Sequence, residues 1–158
     1  VVPGIAALIA AANSRAVPVV IVTNQSGVGR GLYGWSDFNA VQSEIARHLA
    51  NMHARWDAVF ASPFPPGNWP MRKPHPGMLL AGAEAFDLDL ERSWILGDRA
   101  TDMEAGQRAG IEGGLFVGNG YDDDEIMNAL AHASDSYAVR RIAKPHQALM
   151  HLPFLKNA

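Results

Sequence analysis

Cysteine is absent from the 158 residues, which excludes a disulfide framework and any thiolate metal site and accords with a reducing compartment. Charge is scarce as well: charged residues make up 18% and the net charge is -3, so no basic surplus exists to hold a nucleic acid. No apolar run approaches the ~20 residues needed to span a bilayer, and no membrane partner is expected. The opening Val1-Val2-Pro3-Gly4 lacks an initiator Met, a basic stretch and a cleavage pattern, so it reads as a cut or processed end rather than a signal peptide. Internal repeats, low-complexity tracts and composition shifts are missing too. The expectation is one cytoplasmic domain over residues 1–158, a monomer or weak oligomer, long enough to bury a core without staples.

What is present is alternation. Apolar runs at 17–22, 58–61, 94–96, 115–117 and 137–139 read as strands. Between them Ile5, Leu8, Ile9 and Ala12, then Phe38, Val41, Ile45 and Leu49, then Ile126, Leu130 and Ala133 each fall at helical spacing. Pro3 suits a first helical turn, Ser36 an N-cap and Gly110 the position after a helix end. Strand-helix alternation implies an α/β fold with a parallel sheet covered on both faces, whose ligands bind at the carboxyl ends of the strands. Six of the ten prolines lie between Pro63 and Pro76, which predicts an ordered, extended excursion forming a rim over that site.

Three segments carry chemistry. The run ending at Val22 delivers Thr23 and Asn24 to a strand end, followed by Gln25, Ser26, Gly27, Val28 and Gly29. A hydroxyl and free N–H groups there can donate to phosphoryl oxygens, and a simple capped turn is the alternative. Lys73 follows Arg72 and stands between Pro70 and Pro74. A lysine so held can neutralise a transferring phosphoryl group and the arginine can grip a second anion, or the two form a solvated basic pair. Asp98 ends the third strand after Gly97, and Asp102 follows four residues later at a helix start. Two carboxylates at such a junction suit a hard cation such as Mg2+, Asp98 binding directly and Asp102 orienting the site, although Asp102 can equally be an N-cap.

Other acidic and histidine positions are set aside. Asp87 and Asp89 precede a strand, at the wrong end for catalysis, and the run Asp122 to Glu125 is explained by a positive helix terminus. The six histidines lack metal-ligand spacing, His75 reads as a loop-packing residue, and Ser26 has no histidine base for a serine-hydrolase triad.

Thr23-Asn24-Gln25-Ser26-Gly27, Arg72-Lys73-Pro74-His75-Pro76-Gly77-Met78 and Gly97-Asp98-Arg99-Ala100-Thr101-Asp102 together resemble the second, third and fourth motifs of the haloacid dehalogenase-like (HAD-like) phosphatases. The resemblance is to the branch of D-glycero-D-manno-heptose-1,7-bisphosphate 7-phosphatase and histidinol-phosphate phosphatase, and it runs from Pro3 to about Pro153. It implies a three-layer Rossmann-like parallel sheet and a magnesium-dependent phosphomonoester hydrolase for a small phosphorylated sugar or related metabolite. By the same resemblance Asp98 is a magnesium ligand with Asp102 behind it. Thr23 and Lys73 stabilise the phosphoryl group, and Asn24, Gln25, Ser26, Arg72 and Arg99 contact substrate.

Two departures accompany the resemblance. The family's nucleophile lies in an Asp-x-Asp-Gly-Thr motif one strand and a connection earlier, on the order of 40 residues before Thr23. That motif occurs nowhere in the 158 residues, and only 22 residues precede Thr23. The first central strand is therefore expected to be absent from this stretch, and losing a covalent nucleophile costs around a million-fold in rate. Many members of the branch also hold zinc in the loop before the third motif. The corresponding positions are Ser62, Phe64, Trp69 and Met71, so no zinc is expected and apolar packing of the loop is. The rival functions are a catalytically silent phosphate-binding or scaffold domain and, ranked last on the acidic balance and the His75-Pro76 pair, a nucleic-acid 3′-phosphatase.

Overall fold

The computed structural model describes residues 3–118 and 122–156; Val1 and Val2, read above as part of a processed end, lie outside them. In chain order the elements are α1 (Ile5–Asn13), β1 (Val20–Asn24), α2 (Ser26–Gly29), α3 (Trp35–Ala50), β2 (Ala58–Ser62) and α4 (Gly77–Phe86). Then come β3 (Trp94–Gly97), α5 (Ala100–Ala109), β4 (Gly113–Val117), α6 (Asp123–Leu130) and β5 (Ala138–Ile142), followed by 3-10 turns over Pro145–Met150 and Pro153–Leu155. All strand pairs within the sheets are parallel, as strand-helix alternation requires, because a parallel neighbour must be reached by a crossover.

The boundaries differ from the sequence reading where backbone chemistry intervenes. Val17 to Val19 do not join β1: Val17 N–H closes the end of α1 on Ala12 O (3.0 Å), Pro18 has no N–H, and Val19 N–H donates to Asp57 Oδ2 (2.8 Å). The N-cap of α3 is Gly34, whose N–H donates to Asp37 Oδ2 (2.8 Å), so Ser36 lies inside the helix. Gly110 stands at the end of α5 with φ 74°, as its type suggested.

The β3-β4-β5 sheet is covered on both faces. Alternation along β4 turns Phe116 toward Ile95, Met103, Ile111 and Ile126, and Leu115 toward Leu8, Ala12, Ile142 and Leu152. β5 is the edge strand and carries the exposed pair Arg140 and Arg141, which discourages further pairing. In the first cluster Tyr137 is buried with no partner for its hydroxyl. Burial first, and the negative charge of Asp102 second, push its pKa up from the ordinary 10.0. The folded protein thus holds that proton more tightly than the unfolded chain, so this contribution is complete below pH 10.0 and is lost as pH rises past it. Tyr137→Phe is expected to stabilise by about 1 kcal/mol and to flatten the alkaline fall in stability. Urea unfolding at neutral and at alkaline pH checks both effects.

The sheet is not continuous. β1 pairs with β2 and β3 pairs with β4, but among the described residues no backbone hydrogen bond joins β1 to β3. Asp57 N–H to Val19 O and Gln25 N–H to Ser62 O (both 2.7 Å) fix which backbone groups of β1 face β2, and alternation turns those of Val20, Val22 and Asn24 to the other edge. Glu112 N–H to Ser93 O (3.0 Å) likewise leaves Trp94 and Leu96 on the edge of β3 away from β4. Both strands border a cleft of about 1130 Å³ lined on one face by Ile21, Thr23, Leu96, Gly97 and Asp98. A smaller cavity of about 130 Å³ opens on the other face, between Val20 and Val22 of β1 and Trp94 and Ile95 of β3. Because successive residues of a strand point to opposite faces, space on both faces between the same two strands is a slot through the sheet.

Candidate functional site

The carboxyl ends of β1 and β3 bring Thr23 and Asp98 to the wall of the larger cleft. Lys73 enters from the proline-rich segment and links β1 to α5. Its Nζ donates to Val22 O (2.9 Å) and pairs with Asp102 Oδ1 at 2.6 Å, with 11% and 6% of the two side chains exposed. The other oxygen, Asp102 Oδ2, accepts from Asp98 N–H (3.1 Å) and Arg99 N–H (3.0 Å), which closes the first turn of α5 around the strand end. Asp102 is therefore not the N-cap: Arg99 holds that position and Asp102 is the third residue of the helix reaching back. Gly97 has no alternative here, since a Cβ would collide with the Asp102 carboxylate.

Asn24 ties β1 to the same loop by a double contact: its Nδ2 donates to Lys73 O and its Oδ1 accepts from Lys73 N–H, both at 3.1 Å. Gln25 Nε2 donates to Thr23 Oγ1 (2.8 Å), and Tyr33 OH donates to Gln25 Oε1 (2.6 Å). Asn24 and Gln25 thus brace Lys73 and Thr23 with their side chains engaged inside the protein. Ser26 opens α2, and its carbonyl accepts from Arg30 N–H at 3.0 Å. Arg72 Nη1 donates to Phe64 O (2.6 Å), which ties the arginine within the proline-rich segment. Arg99 lies 4.0 Å from Glu125, whose Oε1 also accepts from Ala100 N–H (2.7 Å).

The structure therefore joins Thr23, Lys73, Asp98 and Asp102 through contiguous contacts, with Asn24 and Gln25 as braces; Thr23 and Asp98 line the cleft, whereas Arg72 is tied within the proline-rich segment and Arg99 stands at the α5 terminus. Sequence reasoning missed Tyr33, whose link to Gln25 arises only when the loop 30–34 folds back over α2. It also gave Glu125 only its own helix terminus, whereas Asp122 Oδ1 caps α6 through Glu125 N–H (2.9 Å) and Glu125 braces α5. His75 meets Arg108 through Nδ1 at 3.3 Å. In the proline-rich segment, Phe64 and Trp69 stack with centroids 4.6 Å apart and planes within 10°, so apolar contact packs the loop.

A one-carboxylate wall suits Mg2+, which keeps several waters and takes one or two carboxylates alongside phosphate oxygens. Asp98 is the carboxylate on the cleft wall, and the oxygens of Asp102 already serve Lys73 and two backbone N–H groups. Among the described residues no cluster of three or more His, Asp or Glu side chains could hold an ion without a ligand's help. No helix among them is long and apolar enough to cross a membrane.

Parallel strands bearing these side chains at their carboxyl ends define a Rossmann-like α/β fold of the HAD type, and comparison with known proteins agrees. The chain belongs to the HAD-like hydrolase family, whose model matches residues 70–150. Within it, the similarity is to the heptose-bisphosphate phosphatase branch. The D-glycero-beta-D-manno-heptose-1,7-bisphosphate 7-phosphatase of Mesorhizobium japonicum is 44% identical over 117 residues, covering 69% of this chain and 54% of that protein. The enzyme of the same name from Rhodopseudomonas palustris is 39% identical over 128 residues, 76% of this chain and 71% of its own length. The chain thus spans about half the length of the first of these relatives. Among solved structures, the D,D-heptose 1,7-bisphosphate phosphatase of B. bronchiseptica, complexed with magnesium and phosphate, superimposes with a TM-score of 0.79 at 32% identity, over 95% of this chain and 82% of that one.

Proposed function

We propose that the protein is a magnesium-dependent phosphomonoester hydrolase for a small phosphorylated sugar of the heptose-bisphosphate type, working through an aspartyl-phosphate. The observation that supports this reading is the joining of Thr23, Lys73 and Asp98 around the carboxyl ends of β1 and β3 through Asp102 and Val22 O. Thr23 donates its hydroxyl to the phosphoryl group and Lys73 offsets the charge that develops on it. Asp98 holds the Mg2+, which when bound lowers the repulsion between an anionic nucleophile and the phosphate. The relatives' names, together with magnesium and phosphate in the B. bronchiseptica enzyme, support the same chemistry.

The attacking carboxylate belongs, in this proposal, to one further parallel strand seated in the slot between β1 and β3. Four features argue for it: two facing strand edges, parallel pairing on both sides, apolar side chains along the slot and the phosphate-facing groups at its carboxyl end. The first carboxylate of that strand forms the bond to phosphorus as the bond from phosphorus to the sugar oxygen breaks, and the second gives its proton to that oxygen. The second then takes a proton from the water that hydrolyses the aspartyl-phosphate, which frees phosphate and restores both groups.

Phosphate release from D-glycero-D-manno-heptose 1,7-bisphosphate is measured on the protein with and without a peptide that ends in Asp-x-Asp-Gly-Thr. The expected outcome is release that needs both Mg2+ and the peptide's first Asp and falls to background in EDTA. Phosphate binding without release in every combination would establish the silent-domain alternative instead.

A further inference from the structure

We propose that Tyr33 is a positioning residue for the Thr23 hydroxyl, acting through the Gln25 amide. This rests on the reading of the cleft as a phosphate site and adds a residue that none of the three motifs contains. Tyr33 OH donates to Gln25 Oε1 at 2.6 Å, and Gln25 Nε2 donates to Thr23 Oγ1 at 2.8 Å. A hydroxyl has one proton and accepts through its lone pairs. Accepting from Gln25 leaves the Thr23 proton unused on that side and available to an anion in the cleft that Thr23 lines.

The amide itself does not choose this direction, because its two ends have nearly the same shape and partners decide which way it faces. Turned over, Gln25 would present Oε1 to Thr23, whose proton it would take, and Nε2 to Tyr33, whose oxygen can accept it. Tyr33 therefore anchors the amide within reach of Thr23, and an anion that takes the Thr23 proton selects the direction found here. Two backbone bonds fold its loop over α2 and so place the ring: Leu32 N–H donates to Gly27 O (2.9 Å) and Gly31 N–H to Val28 O (3.0 Å). The ring then lies against Gly27, where any Cβ would collide with it. The glycine of the second motif thus serves the tyrosine as much as the ligand.

The probe is inorganic phosphate, titrated calorimetrically into the protein and its variants, each checked for native circular dichroism. Tyr33→Phe keeps the ring and removes only the donor, and is expected to weaken phosphate binding about three- to tenfold. In a Thr23→Val background the same change has no further effect, and in Thr23→Ser the effect returns; this coupling is what a merely structural tyrosine would not produce. Gln25→Leu provides an independent background in which Tyr33→Phe is again silent. Equal losses in all backgrounds, or no loss in the wild type, overturn the proposal. Absence of phosphate binding by the unmodified protein overturns the phosphate-site reading first, and so is distinguishable from failure of Tyr33 alone.

Discussion

Asp102→Ala is expected to lower stability by about 3 to 5 kcal/mol, the cost of leaving one member of a buried ion pair without its partner. Asp102 is 4% exposed, and three groups depend on its carboxylate: the Lys73 ammonium and the N–H groups of Asp98 and Arg99. Removing it strands a cation between β1 and α5 and opens the first turn of the helix. At roughly 2 to 4 °C per kcal/mol for a chain of this size, the melting temperature falls by on the order of 10 °C. Asp102→Asn should lose less, since the amide oxygen can still accept from a backbone N–H. A melting temperature within about 2 °C of the wild type for Asp102→Ala would mean that this pair is not what joins the two sheets.

Asp98→Asn is expected to show a different pattern, with a smaller loss of stability than Asp102→Ala and phosphate release lowered at least about a hundredfold. It is the backbone N–H of Asp98, unchanged in the variant, that Asp102 holds. The side chain stands at the cleft wall, and asparagine keeps its shape while removing the charge that a hard dication requires. Raising Mg2+ should recover part of the rate, because the loss is one of metal affinity. Steady-state assays with the Asp-x-Asp-Gly-Thr peptide present, over a magnesium series and alongside thermal melts, separate the two aspartates: one acts on the reaction, the other on the frame. Full activity of Asp98→Asn at ordinary magnesium would remove this residue from the reaction.

Much of the fold was legible because apolar periodicity is local. The strands over 58–61, 94–96 and 115–117 appear within two residues of their expected bounds, and α1 buries Leu8, Ile9 and Ala12 on one face. Periodicity was less informative about where on a helix the buried stripe is centred. On α3, Phe38 and Leu49 are buried but Val41 is 56% exposed, since three residues at 100° each leave it about 60° from the stripe. On α6, Ala129 is fully buried in place of Leu130, and α6 ends before Ala133. Small residues give the periodic signal little weight, although a closely packed helix crossing selects them.

Within the site, the residue types around Thr23, Lys73 and Asp98 could be recognised from spacing, because a strand end followed by a turn is a short-range pattern. Partner choice could not. Asp102 stands only four residues from Asp98 but pairs with Lys73, and Asn24 reaches a backbone 49 positions away.

The sequence by itself thus determined the alternation of elements, the polarity of the sheets and which side chains stand at strand ends, all consequences of a few neighbouring residues. Only the tertiary structure decided that Lys73 is held between Val22 O and Asp102, that Tyr33 anchors the Gln25 amide, and which edges of β1 and β3 border the slot. Those features depend on loop closure between segments far apart in the chain, where contact geometry rather than residue order sets which polar groups meet.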